Sequence, residues 1–390
     1  MQRSYQICNR CVMDTTDPDI TFDDKGVCNH CNHHDYLVKT YLFTGDTGRT
    51  LLDSTVNKIK KEGRGKEYDC IIGVSGGVDS SFVAYSVKKL GLRSLAVHLD
   101  NGWDSELSVK NIELLLNKLE IDLYTYVLNW EEFRDIQLSF LKASTPDTEA
   151  PTDHAIFALL HEKAREMNIR YIINGCNLRT ETHLPPAWSH DNSDWKYIKS
   201  VHKQFGTMPL KTFPHYTLLQ KQLYRRRLKW FSILNYLDYS KKDAMKILEN
   251  ELGWKYYGGK HYESIFTRFY QGYLLPKKFG YDKRRAHLSS LICAGETTRN
   301  DSLEVLKQDT YPPGLLEQDK EFVIKKFELT ADEFENLMSL PNKTYRDYPS
   351  YGRSFDKIES SPLYDRFLRR AYRKFVIQRN INEYEKIKIH

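Results

Sequence analysis

The segment that most restricts how this chain can fold is Ser75-Gly76-Gly77-Val78-Asp79-Ser80-Ser81, because of what stands on either side of it. Before it lies the apolar run Cys70-Ile71-Ile72-Gly73-Val74, which reads as a buried strand. After it lies a stretch in which Val83, Val87 and Leu90 share one helical face and Gly91 supplies a stop. A strand, a glycine turn and a helix in immediate succession form the opening unit of a parallel sheet. Two glycines let the backbone turn tightly and approach a ligand, while the first-turn amides and the helix dipole favour an anion. Ser75, Ser80 and Ser81 add hydroxyl donors, and Asp79 is placed either as a Mg²⁺ ligand or as an ordinary first-turn acid. No Gly-Lys-Ser/Thr follows, so this is not the loop that transfers a γ-phosphate; a different bond of the nucleotide is implicated.

Downstream the pattern alternates. Strands are predicted at 94–99, 123–128 and 171–174, and helices at 104–119, 131–141 and 153–167. Such βαβ alternation gives right-handed crossovers and a doubly wound parallel sheet, the α/β class, with ligands at the carboxyl ends of the strands. His98 and Asp100 end the second strand, and Gly175 and Asn177 follow the strand at 171–174, so all four fall on that edge. Beyond about residue 215 helical signals dominate, with capping boxes at Ser240-x-x-Asp243 and Thr330-x-x-Glu333. Three domains are expected: 1–48, 49–215, and a mostly helical 216–390.

Residues 1–48 show little apolar periodicity but contain Cys8-x-x-Cys11 and Cys28-x-x-Cys31, separated by sixteen residues. Two CxxC turns deliver four soft ligands to a tetrahedral ion, so Cys8, Cys11, Cys28 and Cys31 are read as a structural Zn²⁺ site. The nearby His30, His33 and His34 are expected to be solvated, and Cys176 and Cys293 to be isolated.

The excess of 58 basic over 52 acidic side chains leaves a charge of only +6, which suits an anionic ligand and argues against a nucleic-acid partner. No apolar run approaches the ~18 residues a membrane span needs. The beginning, MQRSYQICNRC, lacks the pattern of a secretory signal, so a cytoplasmic location without a membrane partner is expected.

The loop Ser-Gly-Gly-Val-Asp-Ser resembles the PP-loop of the N-type ATP-pyrophosphatases, whose members hold the β- and γ-phosphates as a leaving group while a substrate oxygen attacks the α-phosphate. That resemblance implies ATP and Mg²⁺ as cofactors and an ATP site made of Val74, Ser75, Gly76, Gly77, Val78, Asp79, Ser80, Ser81, His98, Asp100, Gly175 and Asn177, with backbone at His98 reading adenine and the Gly175 turn lying beside the α-phosphate. The cysteine pattern CNRCVMDTTDPDITFDDKGVCNHC, the loop and the block 253–299 together resemble the bacterial N-acetyl sugar amidotransferases of lipopolysaccharide and O-antigen biosynthesis. The likeness implies conversion of an acetamido to an acetamidino group on a UDP-linked sugar, with ammonia supplied by a separate class-I glutaminase chain.

Within that picture Asp79, Ser80, Lys278, Lys283 and Arg284 are the catalytic candidates, the three cations and Arg299 being candidate clamps on phosphates. Trp254, Tyr257 and His261 are candidates for the sugar. Two rivals remain open: a PP-loop enzyme that thiolates tRNA, using the run Arg225-Arg226-Arg227 on phosphate backbone, and a noncatalytic zinc-ribbon adaptor that only binds nucleotide.

Overall fold

The computed structural model describes residues 4–259 and 261–354; the part of the expected 216–390 domain beyond 354 lies outside the described residues. Five strands, β1 (Cys70–Gly73), β2 (Ser94–Asp100), β3 (Asp122–Val127), β4 (Tyr171–Asn174) and β5 (Lys229–Ser232), form one sheet in the order β3-β2-β1-β4-β5. Every neighbouring pair is parallel. Strand order reverses direction at β1, which places a crevice at the carboxyl end of β1, where doubly wound sheets collect ligands.

The alternation of the central strands sends side chains into two cores. Cys70, Ile72, Val74, Ala96 and Ile173 pack with α2 (Gly45–Glu62), α3 (Val78–Lys89), α4 (Glu106–Leu119) and α9 (Lys241–Leu252). Ile71, Leu95, Val97, Leu99 and Ile172 face α5 (Trp130–Ala143), α6 (Ala150–Glu166) and α7 (Trp195–Phe205). Ile71 and Ile72, adjacent in sequence, thus enter opposite layers, as the period of two in a strand requires. The helix ends follow local chemistry. Ser240 caps α9, which stops at Gly253 in the left-handed region, and Thr330 and Glu333 form the full capping box of α14 (Ala331–Ser339).

The expected boundary at 215 needs correcting. β5 lies beyond it and pairs with β4, and Leu248, Leu252 and Trp254 belong to the same core as β1. The remaining helices are α1 (Asn29–Tyr41), α8 (Leu218–Arg227), α10 (Ile265–Phe269) running into a π-helix (Tyr270–Phe279), α11 (Lys283–Cys293), α12 (Arg299–Lys307) and α13 (Pro313–Lys326). Phe266, Phe269, Val323, Phe327 and Phe334 extend the core of the α5–α7 face, so the C-terminal helices cover that layer of the sheet. Among the described residues no helix is long and apolar enough to cross a membrane.

Candidate active site

The turn between β1 and α3 is built for close approach. Gly76 has φ +76°, and a Cβ there would lie 2.6 Å from the Ser108 carbonyl oxygen of α4, so only glycine fits both the backbone angle and the space. The Gly76 carbonyl accepts the indole N–H of Trp254 at 2.9 Å, and Gly77 is the N-cap of α3. Ser80 Oγ donates to the Gly77 carbonyl at 3.1 Å and accepts the Ser75 amide at 3.2 Å, closing the loop on itself. Val74 is buried, its amide donating to Val97 O at 3.0 Å. Ser81 is fully buried on the inner side of α3, and its hydroxyl has no hydrogen-bond partner among the described residues.

The other strand ends converge on this turn. A Cβ on Gly175 would meet the Asp79 carbonyl carbon at 3.0 Å, so the β4 turn lies directly against the loop. Asp79 accepts the Tyr239 hydroxyl. Asn177 is buried, and its Oδ1 accepts from the amide and hydroxyl of Thr180, each at 3.0 Å, which makes it a turn-former on the present contacts. Asp100 accepts the Gly102 amide at 2.8 Å and shapes the turn after β2. His98 is buried between the Val74 carbonyl, 2.9 Å from Nδ1, and Asp104, 3.1 Å from Nε2. Burial pushes its pKa down, but the Asp104 hydrogen bond and charge outweigh that and leave it raised. His98 therefore braces the start of the loop from inside.

The aromatic candidates reach the loop, not a sugar site apart from it. Trp254 is buried and serves as the support of Gly76 just described. Tyr257 Oη accepts the Val78 amide at 3.2 Å, covering a first-turn donor of α3. Glu263 also sits at the turn, where a Cβ on Gly77 would be 3.3 Å from its Oε1. His261, at φ +62°, is 3.4 Å from the same carboxylate. Burial raises the pKa of Glu263, yet the hydrogen bond and charge of His261 more than offset this and hold it low.

The basic block behaves differently from expectation. Lys278 gives its ammonium to the carbonyls of Leu337, Met338 and Leu340 at 2.8–3.0 Å, capping the end of α14 and using all three donors. Arg284 pairs with Asp282 at 2.8 Å and donates to the carbonyls of Val305, Gln308 and Asp309. Arg299 donates to the carbonyls of Cys8 and Cys11 at 2.9–3.2 Å. None of these three is a phosphate clamp in this structure, because each already closes carbonyl groups of the fold.

Lys283 is placed otherwise. It lies over the Tyr270 ring, 5.3 Å from its centroid, and its charge lowers the pKa of Asp147, Glu149 and Asp153. Burial dominates for these acids all the same: Glu149 is pushed up to about 7, first by burial and then by Asp153. A crossover helix runs against its strands, so the start of α6, where Glu149 and Asp153 stand, is on the same edge as the loop.

The four cysteines meet as expected. The Sγ separations are 3.9 Å for Cys8–Cys31, 3.6 Å for Cys11–Cys28 and 3.7 Å for Cys28–Cys31, and all four thiols are buried. Metal–sulfur bonds of ~2.3 Å at tetrahedral angles require about 3.8 Å between sulfurs, so this donor set fits a zinc-sized ion. Amides of Arg10, Cys11 and Cys28 donate to Cys8 Sγ, and that of Met13 to Cys11 Sγ. Arg285 ties the module to α11 through Val12 O at 2.9 Å and Asp14 at 3.0 Å. His30 and His34 are buried, against Asp17 and Thr182, which corrects the expectation of solvated histidines; only His33 of the three is exposed.

Sequence reasoning passed over Tyr239, Glu263, Glu149 and Asp153. The only local sign of them is the acidic i, i+4 pair Glu149 and Asp153 flanking Pro151 at a helix start. Tyr239 stands 160 residues from Asp79, and nothing in the sequence announces that contact.

Comparison with known proteins matches two separate stretches of the chain. Residues 49–174 match the NAD synthase family model, and residues 263–360 match that of the LPS biosynthesis protein WbpG-like, C-terminal domain. The chain is 27% identical over 201 residues to the tRNA-specific 2-thiouridylase MnmA of Clostridioides difficile (strain 630), covering 47% of this chain and 50% of that protein. It is 29% identical over 118 residues to the tRNA(Ile)-lysidine synthase of Chlamydia pneumoniae, covering 29% and 34%. The chain thus spans half or less of the curated relatives it matches. Among solved structures, the NH3-dependent NAD synthetase from Campylobacter jejuni subsp. jejuni NCTC 11168 in complex with the nitrate ion is similar with a TM-score of 0.30 and 13% identity, over 76% of this chain and 98% of that one.

Proposed function

We propose, from its membership of the PP-loop proteins and its WbpG-like C-terminal domain, that this chain is the synthetase component of an ATP-dependent amidotransferase. The reading is that it makes an acetamidino sugar for a bacterial surface polysaccharide. The observation that carries this reading is the Gly76–Gly77 turn at the switch point of the sheet, where backbone amides rather than a lysine stand at the start of α3.

An amide carbonyl is a poor electrophile. Attack of the acetamido oxygen on the α-phosphorus breaks the bond to the β-phosphate, releases pyrophosphate and leaves an O-adenylated imidate. Ammonia then adds to the imidate carbon, the C–O bond to AMP breaks, and a proton leaves the nitrogen; the products are the acetamidino sugar, AMP and pyrophosphate. This chain's part is orientation and charge stabilisation. The amides of Gly77 and Val78 and the Ser75 and Ser80 hydroxyls would grip the pyrophosphate, with Tyr257 and Glu263 moving off the turn as nucleotide enters. Asp79, oriented by Tyr239, would hold Mg²⁺, which when bound neutralises charge on the leaving group. Glu149, Asp153, His261 and Lys283 are the groups proposed to face the sugar and the incoming ammonia, and zinc at Cys8, Cys11, Cys28 and Cys31 would be structural. Ammonia is proposed to come from a separate class-I glutaminase chain, and the reaction to take place in the cytoplasm.

The test is incubation with ATP, ammonium salt and a panel of UDP-linked acetamido sugars, following AMP and the small mass loss as oxygen is replaced by NH. AMP formation that depends on one of the sugars supports the reading; ADP, or no sugar-dependent product across the panel, contradicts it. The likeness to two tRNA-modifying proteins favours a second reading, a tRNA substrate, with exposed α8 and its Arg225, Arg226 and Arg227 as the contact surface. Tight tRNA binding that falls steeply with salt would select it.

A further inference from the structure

Cys293, expected to be isolated, is not. Its Sγ is 3.8 Å from Cys31 Sγ and 3.6 Å from His183 Nε2, and the three ligand atoms all lie within 4.8 Å of one another. These are the spacings of a coordination shell. With metal–sulfur bonds of ~2.3 Å and metal–nitrogen bonds of ~2.0–2.1 Å at tetrahedral angles, two sulfurs stand about 3.8 Å apart and a sulfur and a nitrogen about 3.6 Å apart.

The hydrogen bonds around His183 set its ring for the same task. Two hydroxyls lie 3.1 Å from His183 Nδ1: that of Ser290, whose hydrogen goes to the Ala286 carbonyl at 3.1 Å, and that of Thr182, which is closer, at 2.6 Å, to His34 Nδ1. With the Thr182 hydrogen given to His34, both oxygens accept from His183 Nδ1–H. A proton on Nδ1 leaves Nε2 with a bare lone pair, and Nε2 is the atom that faces Cys293. Anchoring the far ring nitrogen through an outer partner is how proteins fix a ligating histidine. The imidazole is fully buried, and three separate segments meet at it: Cys31 from the first turn of α1, Cys293 from the last residue of α11, and His183 from the loop after β4. Cys31 already belongs to the four-cysteine set, and a thiolate sulfur has lone pairs enough to bind two ions.

We propose that Cys31, His183 and Cys293 hold a second thiophilic divalent ion of the zinc class, which shares the Cys31 sulfur with the ion of the four-cysteine site. Three protein ligands leave the fourth position to water or an incoming donor, the arrangement of an open rather than a closed zinc site. The half-buried Cys293 marks the side from which that donor arrives.

The inference rests on reading the four cysteines as a zinc site, and metal counting separates the two. The full chain is equilibrated with excess zinc, desalted and analysed by native mass spectrometry and elemental analysis. Two ions per chain are expected, falling to one in Cys293→Ser and in His183→Ala, with the wild-type melting curve as the check that the fold persists. Cobalt substitution needs no variant: two cobalt ions joined by one thiolate couple magnetically, so the paramagnetic signal of the fully loaded protein should fall below that of two independent ions. One ion per chain at saturation would overturn the second site and leave the first standing, whereas no bound ion would remove both. Two ions retained in both variants, or a Cys31–Cys293 disulfide in the metal-loaded protein, would also overturn the proposal.

Discussion

At the Ser75–Ser81 turn the groups proposed to bind an anion are backbone amides, held by a left-handed glycine, a self-closing serine pair and the indole of Trp254. In the Lys278–Arg299 block the corresponding groups are long cationic side chains, and three of them close carbonyls of the fold. Both regions advertise an anion site in the sequence. The turn carries its geometry with it, because only glycine tolerates its φ and its space, whereas a lysine or arginine can reach in many directions and its partner is settled by tertiary packing.

The sharpest way to break this contrast is Gly76→Ala. The new Cβ would press on Ser108 O at a positive φ, and displacement of a phosphate-gripping turn by about 1 Å is expected to cost at least ~100-fold in AMP formation. Near-normal turnover would show that the turn is not the site. Next in size is Tyr239→Phe, which removes the hydroxyl bonded to Asp79. A hydrogen bond to a charged group is worth about 1.5–3 kcal/mol, so a loss of roughly tenfold or more in kcat with a raised Mg²⁺ requirement is expected, read from a magnesium titration.

Lys278→Met should fail in the opposite manner. Uncapping the end of α14 is expected to lower stability by about 1–3 kcal/mol in denaturant melts while leaving the KM for ATP unchanged. A large KM change would restore Lys278 as a phosphate ligand. A pH-dependent effect is expected at Glu149, whose carboxyl feels the charge of Lys283. A carboxyl raised from 4.5 to about 7 on folding favours the native state at low pH, and that contribution fades as pH climbs through this window. Against Glu149→Gln, whose side chain does not titrate, the wild type should therefore lose thermal stability between about pH 4.5 and 7; parallel melting curves would contradict the shift.

How much could be read in advance follows the same division. The strand at 171–174, the helix after the turn, the caps at Ser240 and Thr330 and the four cysteines all rest on local patterns, and the structure has them. β5 escaped because Lys229-Trp230-Phe231-Ser232 is four residues long, follows an arginine run and is buried only at its last two positions. Its strand character comes from pairing with β4. For Trp254 and Tyr257 the distance along the chain from Gly76 and Val78, 178 and 179 residues, conceals that they brace and cover the turn. Cys293 was missed for the same reason, being 262 residues from Cys31.

The most direct test of the central claim follows one oxygen atom. A UDP-linked sugar carrying a heavy-oxygen label in its acetamido carbonyl is turned over with ATP and ammonium, and the nucleotide product is weighed. Cleavage at the α-phosphorus driven by that carbonyl predicts the label in AMP, one atom per turnover, with unlabelled pyrophosphate. Unlabelled AMP, or ADP in its place, would contradict it.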